Sequence, residues 1–421
     1  MNIPFKLAYN TTVQFAGRFI TAVSAAGITY LIASKFSVGN YGIYTAILSF
    51  VSLFYVFTDF GFNAIFVREV GLDSEKQKSY FKNLLGLRIV TSVLVVFIAV
   101  ATLSFTDYSG LAKLGIIIGL LLIVTQSLAA TALAVFQAKI RYDQALIADT
   151  FGAVANLVFV YIAVVNFSNI LLVILALVTG SAVRTIVALY LARFQIGDLE
   201  ISFDWIFWKK IIIPAIPIGA LAIFSQFNAQ IDKQIVFLAH YKASLGLEGQ
   251  TAAGIYGLAY KIFEFGVALP TFIMNVGYPL MIQKKEEGEE KLLNFSKKLG
   301  ILLLIIGFLG LVSGWVLSPW VFNIPGLEKF SQSVPTLRVL LIGLPLFFIT
   351  PVSLWLAISI NKEKEMMFIY GFVAALNLVA NLFFVPSFGY NAAAVITVVS
   401  EGLILLLSFG VLWLEIKKIK T

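Results

Sequence analysis

The sequence predicts an all-α polytopic membrane protein of about twelve transmembrane helices, on the strength of three observations. Of its 421 residues, 60% are hydrophobic and 12% are charged, whereas soluble globular proteins contain roughly 25% charged residues. Apolar runs recur from Thr12 to Glu415, and each reaches the length of about 20 residues that a helix needs to cross the hydrocarbon core. The polar segments between them, at most about 20 residues each, are too short to form a separate catalytic domain.

The helices are assigned as apolar runs bounded by charged residues, glycine or proline. In the first half the segments are 12–33, 41–67, 81–104, 113–136, 146–166 and 169–193, and Lys35, Arg68, Asp107 and Lys139 separate the first five. In the second half, segments 211–240, 252–282, 297–320, 333–358, 366–386 and 390–415 are separated at Lys242, Lys284, Lys329, Lys362 and Gly389. An even number of crossings places both termini on the same side of the membrane.

The distribution of basic residues predicts the orientation. Most lysines and arginines outside the helices fall at the termini and in the loops on the same side, and the opposite loops contain only Lys35, Lys113, Lys242 and Lys329. Because basic residues concentrate in cytoplasmic loops, we expect both termini in the cytoplasm. The formal charge of +8 is then explained by topology, and no nucleic-acid partner is expected.

The residue types exclude several kinds of chemistry. The chain has no cysteine and a single histidine, so disulfides, thiolate ligands and a histidine-based metal site or catalytic triad are excluded. We also find no nucleophile motif and no glycine-rich phosphate loop. We therefore expect no metal, no cofactor and no enzymatic activity.

The chain divides into two halves of six helices. We expect an N-terminal lobe at 1–193, an interfacial cytoplasmic linker at 194–210 rich in aromatic residues, and a C-terminal lobe at 211–421. Gln14-Phe15 and Gly42-Ile43-Tyr44 recur at one constant offset as Gln226-Phe227 and Gly254-Ile255-Tyr256. These matches fall in the first two helices of each half, as parallel repeats require. The two lobes are thus expected to be pseudo-symmetric.

Charged residues inside membrane helices are candidates for function, because each costs several kcal/mol unless it is paired or faces water. In the first half, Gln14 and Arg18 lie on one polar stripe of the first helix. Asp59 in the second helix lies at matching depth and is a candidate partner for Arg18. Arg88 in the third helix adds a further cation. In the alternative interpretation, Arg18 and Asp59 form a structural ion pair and the Arg88 side chain extends to the membrane interface.

The second half contains a larger group. Asp232 and Lys233 in the seventh helix, Lys261 and Glu264 in the eighth and Arg338 in the tenth all fall in the outer half of the membrane. Their comparable depth favours a shared cavity over isolated structural charges. Tyr256 and Tyr260 lie on the same side of the eighth helix as Glu264, either to stack on a ligand or to pack. Asp149 and Arg184 form a candidate structural pair, and Glu401 is either a proton site or a helix-packing acid.

Several short patterns resemble the polysaccharide-transport branch of the multidrug, oligosaccharidyl-lipid and polysaccharide (MOP) exporter superfamily, the Wzx-like lipid-oligosaccharide flippases. They are the opening Asn10–Arg18, the run Gly39–Tyr44, Asp59-Phe60-Gly61-Phe62, Pro214 with Pro217, Asp232, Ala253–Tyr256, and Tyr390–Ala394 followed by Glu401. The resemblance spans essentially the whole chain.

The resemblance implies a flippase with a central cavity between two six-helix lobes. It would move an isoprenoid-pyrophosphate-linked oligosaccharide across a bacterial plasma membrane by alternating access, for cell-surface polysaccharide synthesis. Arg18 and Arg88 would receive the pyrophosphate, and Lys233, Lys261 and Arg338 would draw it outward, since fixed cations stabilise phosphate in a low-dielectric interior. The acids would hold these bases in competing ion pairs. Membrane lipids, protons or sodium, and a glycan polymerase or glycosyltransferases are the further partners implied.

Two other functions remain open. An ion-coupled multidrug or metabolite antiporter of the same superfamily would use Asp59, Asp232, Glu264 or Glu401 to exchange a cationic substrate for protons or sodium. The second is a scaffold that recruits glycan-synthesis enzymes through its basic loops. Such a role does not require so many charged residues within the membrane.

Overall fold

The computed structural model describes residues 3–70 and 73–420, with side chains except those of 3–15, 74–75, 275, 416 and 418–420. Within these ranges the regular structure is helical. The α-helices are α1 (Ile3–Lys35), α2 (Val38–Asp59), α3 (Phe62–Val70), α4 (Ser74–Leu103), α5 (Gly110–Gly119), α6 (Leu121–Ala138), α7 (Tyr142–Ile162), α8 (Ile170–Ile196), α9 (Trp205–Leu238), α10 (Gly249–Glu286), α11 (Glu289–Val321), α12 (Ser333–Ser359), α13 (Glu363–Phe388) and α14 (Tyr390–Lys420).

Twelve helical segments of the described chain are long and apolar enough to cross a membrane. They are Ala16–Lys35, Val38–Val70, Lys76–Leu103, Gly110–Ala138, Tyr142–Phe167, Ile170–Ile196, Trp205–Leu238, Gly249–Glu286, Glu289–Val321, Ser333–Ser359, Glu363–Phe388 and Tyr390–Glu415. Each overlaps one of the twelve predicted segments. The predicted all-α polytopic membrane fold is therefore confirmed, although most of the helices are longer than the apolar runs.

Three of the crossings are not simple α-helices. The second is broken between α2 and α3 at Phe60 and Gly61, where φ is 38° and 72°. Glycine favours this left-handed region because it has no Cβ. The fourth crossing joins α5 to α6, and the fifth continues from α7 into a π-helical turn at Ala163–Phe167. The first break matters for the site because it places Asp59 at a helix end.

The segment expected as a linker at 194–210 is shorter in the structure. Helix α8 continues to Ile196 and α9 begins at Trp205. Trp208, expected at the interface, is buried, and its Nε1 donates to the carbonyl oxygen of Asn83 at 3.0 Å. The remaining linker is held to α4 by Glu200, whose carboxylate pairs with Lys78 at 3.1 Å. A hydrogen bond from the Lys78 ammonium lowers the pKa of Glu200.

The chain forms two compact units. One contains the residues up to Phe36 and Ile47–Ile223, and the other contains Ser37–Ala46 and Phe224–Thr421. Each is a helical bundle with its own apolar core. In the first unit, Phe66, Phe81 and Val135 from α3, α4 and α6 pack together with Trp208.

In the second unit, the start of α2 packs tightly on α10 through two glycines. A Cβ placed on Gly42 would overlap the carbonyl oxygen of Gln250, and a Cβ on Gly254 would overlap that of Val38. Only glycine permits so close an approach of two helix backbones. The two Gly-Ile-Tyr tripeptides that recur in the sequence therefore lie against each other.

Candidate functional site

Two lysines share one carboxylate in the second unit. Lys233 Nζ of α9 donates to Glu264 Oε1 of α10 at 2.8 Å, and Lys261 Nζ donates to Glu264 Oε2 at 3.0 Å. Lys233 is 5% exposed, and its ammonium also donates to Gln230 Oε1 at 3.0 Å. We call Lys233, Lys261 and Glu264 the lysine–glutamate cluster. With all three side chains ionised, it carries one net positive charge inside the membrane-spanning segments.

Asp232, next to Lys233 in sequence, has a different environment. Its carboxylate accepts hydrogen bonds from the Tyr256 hydroxyl and from Thr397 Oγ1, the latter at 3.1 Å. The backbone N–H of Lys233 donates to its other oxygen at 2.7 Å. These contacts join α9, α10 and α14 around a fully buried carboxylate. Tyr256 is fully buried as well, so of its two proposed roles, packing fits and stacking on a ligand does not.

Tyr260 connects the lysine–glutamate cluster to a cavity. The Lys233 ammonium lies 3.8 Å from the centroid of the Tyr260 ring, a cation–π contact. Tyr260 also lines a cavity of about 340 Å³ within the second unit, together with Glu264, Asn228, Tyr370, Asn377 and Glu401. Tyr260 therefore contacts the Lys233 ammonium and also lines the cavity.

Glu401, for which the sequence indicated no partner, lies in the cavity wall beside the Thr350 hydroxyl. The charge of Glu401 also acts on Tyr260 and Tyr370. All of these neighbours are hydroxyl-bearing side chains. The position of Glu401 in a cavity wall does not fit an acid that serves only to pack helices.

Arg338, predicted to join the lysines, does not do so. Its Nε donates to Ser318 Oγ at 3.2 Å, and its guanidinium carbon lies 5.2 Å from the centroid of the Trp315 ring. Both partners belong to α11. The predicted depth of Arg338 did not determine the direction of its side chain, which is set by the rotation of α12 about its axis.

In the first unit, Asp59 pairs with Arg88 and not with Arg18 as expected. Arg88 is fully buried, and its guanidinium donates to Asp59 Oδ1 at 2.9 Å, to Asn63 Oδ1 at 2.8 Å and to the carbonyl oxygen of Ser127 at 2.8 Å. The alternative prediction that the Arg88 side chain extends to the membrane interface is also wrong, because the side chain is fully buried. The break between α2 and α3 brings Asp59 and Asn63 to the same guanidinium. Among the described residues, the Nε of Arg88 is buried without a hydrogen-bond partner.

Asp149 is paired with Arg184 as expected, through Nε at 2.7 Å. The charge of Asp149 also acts on Arg18 of α1. Arg184 is therefore the direct partner of Asp149, and Arg18 lies within the range of its charge. Gln14 lies on α1 but outside the residues whose side chains the structure describes.

Several polar residues of the site were not identified from the sequence. Asn63, Ser127 and Thr397 complete the environments of Arg88 and Asp232, and Asn377 lines the cavity. For Asn377 the sequence did offer a signal, because Asn381 follows it at helical spacing. In the structure, Asn381 donates a hydrogen bond to Asn377 at 3.0 Å. Single neutral polar residues in apolar helices carry no comparable signal.

Comparisons with known proteins agree with this architecture. The sequence family described as "Polysaccharide biosynthesis protein" matches residues 7–285, about two thirds of the chain. No curated protein is significantly similar to the chain in sequence.

Solved structures of similar fold cover nearly the whole chain. The lipid II flippase MurJ in its inward closed conformation gives a TM-score of 0.75 at 14% identity, covering 95% of this chain and 87% of that one. An inward-facing multidrug resistance MATE family transporter of the MOP superfamily gives 0.72 at 13% identity, covering 100% and 96%. The outward-facing conformation of such a transporter gives 0.70 at 13% identity, covering 99% and 96%. At these identities the likeness shows the fold.

Proposed function

The chain belongs to the polysaccharide biosynthesis protein family of the MOP exporter superfamily, a class of transporters and not of enzymes, and from this premise we propose that it is a lipid-linked glycan flippase. Its substrate is an isoprenoid pyrophosphate that carries an oligosaccharide. Translocation runs from the cytoplasmic to the outer leaflet of a bacterial plasma membrane by alternating access. The glycan is destined for a cell-surface polysaccharide.

The observation that carries the proposal is the lysine–glutamate cluster. Two ammonium groups on one carboxylate leave one positive charge within the membrane-spanning segments. A pyrophosphate entering the cluster replaces Glu264 as the partner of the lysines and compensates the cost of its own desolvation. Since the isoprenoid tail stays in the lipid, only the charged headgroup and the sugars require a protein path.

The arginines of the first unit supply a second group of cations. Arg184 pairs with Asp149, whose charge also acts on Arg18, and guanidinium groups bind phosphate oxygens in a bidentate manner. Arg18 remains the proposed residue that receives the headgroup from the cytoplasm. Arg88 is assigned a different role, which is to hold Asp59 and Asn63 in place at the break between α2 and α3.

The rival function is an antiporter for organic cations. One feature favours it, because Glu401 lies in the cavity wall among hydroxyl-bearing side chains and has the chemistry of a proton or cation site. Under the flippase proposal the same carboxylate contacts the substrate or couples transport to protons or sodium. The two functions differ in the charge of the substrate that is moved.

The distinguishing experiment uses proteoliposomes of the purified protein. Transfer of a fluorescent polyprenyl-pyrophosphate oligosaccharide is scored by protection from an external glycosidase, with and without a pH or sodium gradient. Accelerated transfer supports the flippase. No transfer, together with gradient-driven uptake of ethidium into the same vesicles, replaces the proposal with the antiporter.

A further inference from the structure

An apolar groove lies on the surface of the second unit, between α11, α12 and α14. Its volume is about 610 Å³, within the range of roughly 300–1,000 Å³ found for small-molecule sites. Its lining combines buried side chains, such as Leu356 and Leu412, with exposed apolar ones, such as Ile301 and Phe409. Because all three helices belong to membrane-spanning segments, the exposed side chains face lipid.

The inside of the groove has little need of a polar ligand. Ser353 Oγ donates to the carbonyl oxygen of Thr350 at 2.8 Å, and Ser296 Oγ donates to that of Leu292 at 2.8 Å, so both hydroxyl groups are satisfied by the backbone. Gly300 leaves open space, since a Cβ at this position would meet no atom within 4 Å. An acyl chain suits such a groove, because its methylene groups supply dispersion contacts that a void does not.

One end of the groove is basic. Lys297 belongs to its lining and forms no salt bridge within the described part of the chain. Lys417 Nζ lies 5.7 Å from the ring centroid of Trp413, which also lines the groove. The neighbouring carboxylate of Glu415 is paired with Lys362 at 3.0 Å. The charge at this end is therefore positive.

The two lysines lie at the same face of the membrane. Helix α11 belongs to the ninth crossing and α14 to the twelfth, so they run in opposite directions, and the start of α11 lies at the same face as the end of α14. The charge distribution predicts that this face is cytoplasmic. Tryptophan and lysine are typical of the depth of the lipid headgroups. A lipid with a chain in the groove therefore has its phosphate at the depth of the two ammonium groups.

From this arrangement we propose that the groove binds an anionic phospholipid of the cytoplasmic leaflet, with an acyl chain along the apolar wall and the phosphate between Lys297 and Lys417. Basic pockets between transmembrane helices on the cytoplasmic side bind anionic lipid headgroups, and each lysine is expected to raise the affinity about fivefold. The site is separate from that of the translocated substrate, because the groove shares no residue with the cavity or with the lysine–glutamate cluster.

The first test compares two lipids with identical chains and different headgroup charge. Dioleoyl phosphatidylglycerol and dioleoyl phosphatidylcholine are titrated into the protein in a neutral detergent, and affinity is measured by thermal stabilisation. The wild type is expected to bind phosphatidylglycerol about tenfold more tightly or better. K297Q should lose about fivefold in affinity for phosphatidylglycerol and none for phosphatidylcholine. K298Q changes the adjacent exposed lysine, which does not line the groove, and should alter neither affinity.

The second test blocks the groove. G300F places a ring in the open space beside Gly300 and should abolish the binding of both lipids. G410F is the matched control, because Gly410 of α14 is also a helical glycine with nothing within 4 Å of a Cβ but does not line the groove. It should bind both lipids like the wild type.

Each alternative result overturns a defined part of the inference. Equal affinity of the wild type for the two lipids excludes selection of an anionic headgroup. Unchanged binding by G300F excludes the groove as the site, and equal losses in K297Q and K298Q assign the preference to the basic surface in general. These three results leave the flippase proposal unaffected. Displacement of phosphatidylglycerol by polyprenyl phosphate that G300F also fails to bind assigns the groove to the isoprenoid tail of the substrate instead.

Discussion

Lys233 donates to Glu264 across 2.8 Å between α9 and α10, and the same carboxylate accepts from Lys261 at 3.0 Å. Glu264 therefore stabilises two buried or half-buried ammonium groups in the resting protein. Under the proposed flippase function, a pyrophosphate competes with Glu264 for these ammonium groups. The headgroup is then bound inside the membrane and is released when Glu264 takes its place.

The same ratio of charges recurs in the first unit, where Asp149 pairs with Arg184 and interacts with Arg18. In both places one acid lies near two bases, of which Lys261 and Arg184 are partly exposed. The arginines can bind phosphate oxygens in a bidentate manner, and the lysines act as point charges. Under the proposed flippase function, an anion binds in each unit by displacing a carboxylate.

The role of Glu264 as a competitor predicts an unusual effect of its removal. E264Q leaves Lys233 and Lys261 without a carboxylate partner, so the protein should bind polyprenyl pyrophosphate about tenfold more tightly and transfer it more slowly. The measurement is lipid affinity in nanodiscs alongside the transfer rate in proteoliposomes. E289Q, at the exposed start of α11, is the matched control and should change neither. Weaker binding by E264Q would contradict the competition.

The contacts of Arg88 predict a stability defect. R88M leaves Asp59, Asn63 and the Ser127 carbonyl without their shared donor. Because the Asp59 side chain is 43% exposed, the loss is that of hydrogen bonds to a charged group, which are worth about 1.5–3 kcal/mol. The melting temperature in detergent should fall markedly. D59N keeps an acceptor oxygen at this position but leaves the fully buried guanidinium without its carboxylate, so it should destabilise the protein at least as much. If R88M melts like the wild type while transport is lost, Arg88 contacts substrate and the positioning role is wrong.

The contact between Gly42 and Gly254 predicts that a single methyl group is not tolerated there. G42A and G254A each place a Cβ against a carbonyl oxygen of the other helix, and overpacking of this kind costs about 1–3 kcal/mol. Thermal denaturation in detergent measures the loss. G300A is the control, because nothing lies within 4 Å of a Cβ at that helical glycine, and it should be neutral or slightly stabilising. Equal melting of G42A and G300A would contradict the close approach.

The charge distribution predicts the orientation of the chain. The sequence contains no cysteine, so cysteines introduced singly can be labelled without background. K291C, near the start of α11, should react with a membrane-impermeant maleimide only after permeabilisation of the cells. K329C, in the segment between α11 and α12, should react in intact cells. The reverse pattern would place both termini outside.

Hydropathy predicted the twelve crossings because an apolar run of sufficient length has few alternatives to a membrane helix. Hydropathy did not predict which charged side chains form ion pairs with each other. Asp59 pairs with Arg88 because the chain breaks at Phe60 and Gly61, and Arg338 contacts α11 because of how α12 is rotated. Sequence spacing gives the depth of a residue and its face relative to neighbours on the same helix. The partner across a helix interface depends on breaks and rotations that spacing does not encode.

The lysine–glutamate cluster was predictable in part. Lys261 and Glu264 lie three positions apart and must share a helix face, and Lys233 lies at similar depth. The depth of the charged residues favoured a shared cavity in this half, but it did not indicate the neutral side chains from other helices that line the cavity seen here, such as Asn377.

The most direct test of the central claim is the transfer of fluorescent polyprenyl-pyrophosphate oligosaccharide by K233M in proteoliposomes. Its control is K291M, which removes a lysine that is 62% exposed. Transfer should fall at least tenfold in K233M and remain at the wild-type rate in K291M, with both variants folded by size-exclusion chromatography. Full transfer by folded K233M would contradict the assignment of the lysine–glutamate cluster as the site that holds the pyrophosphate.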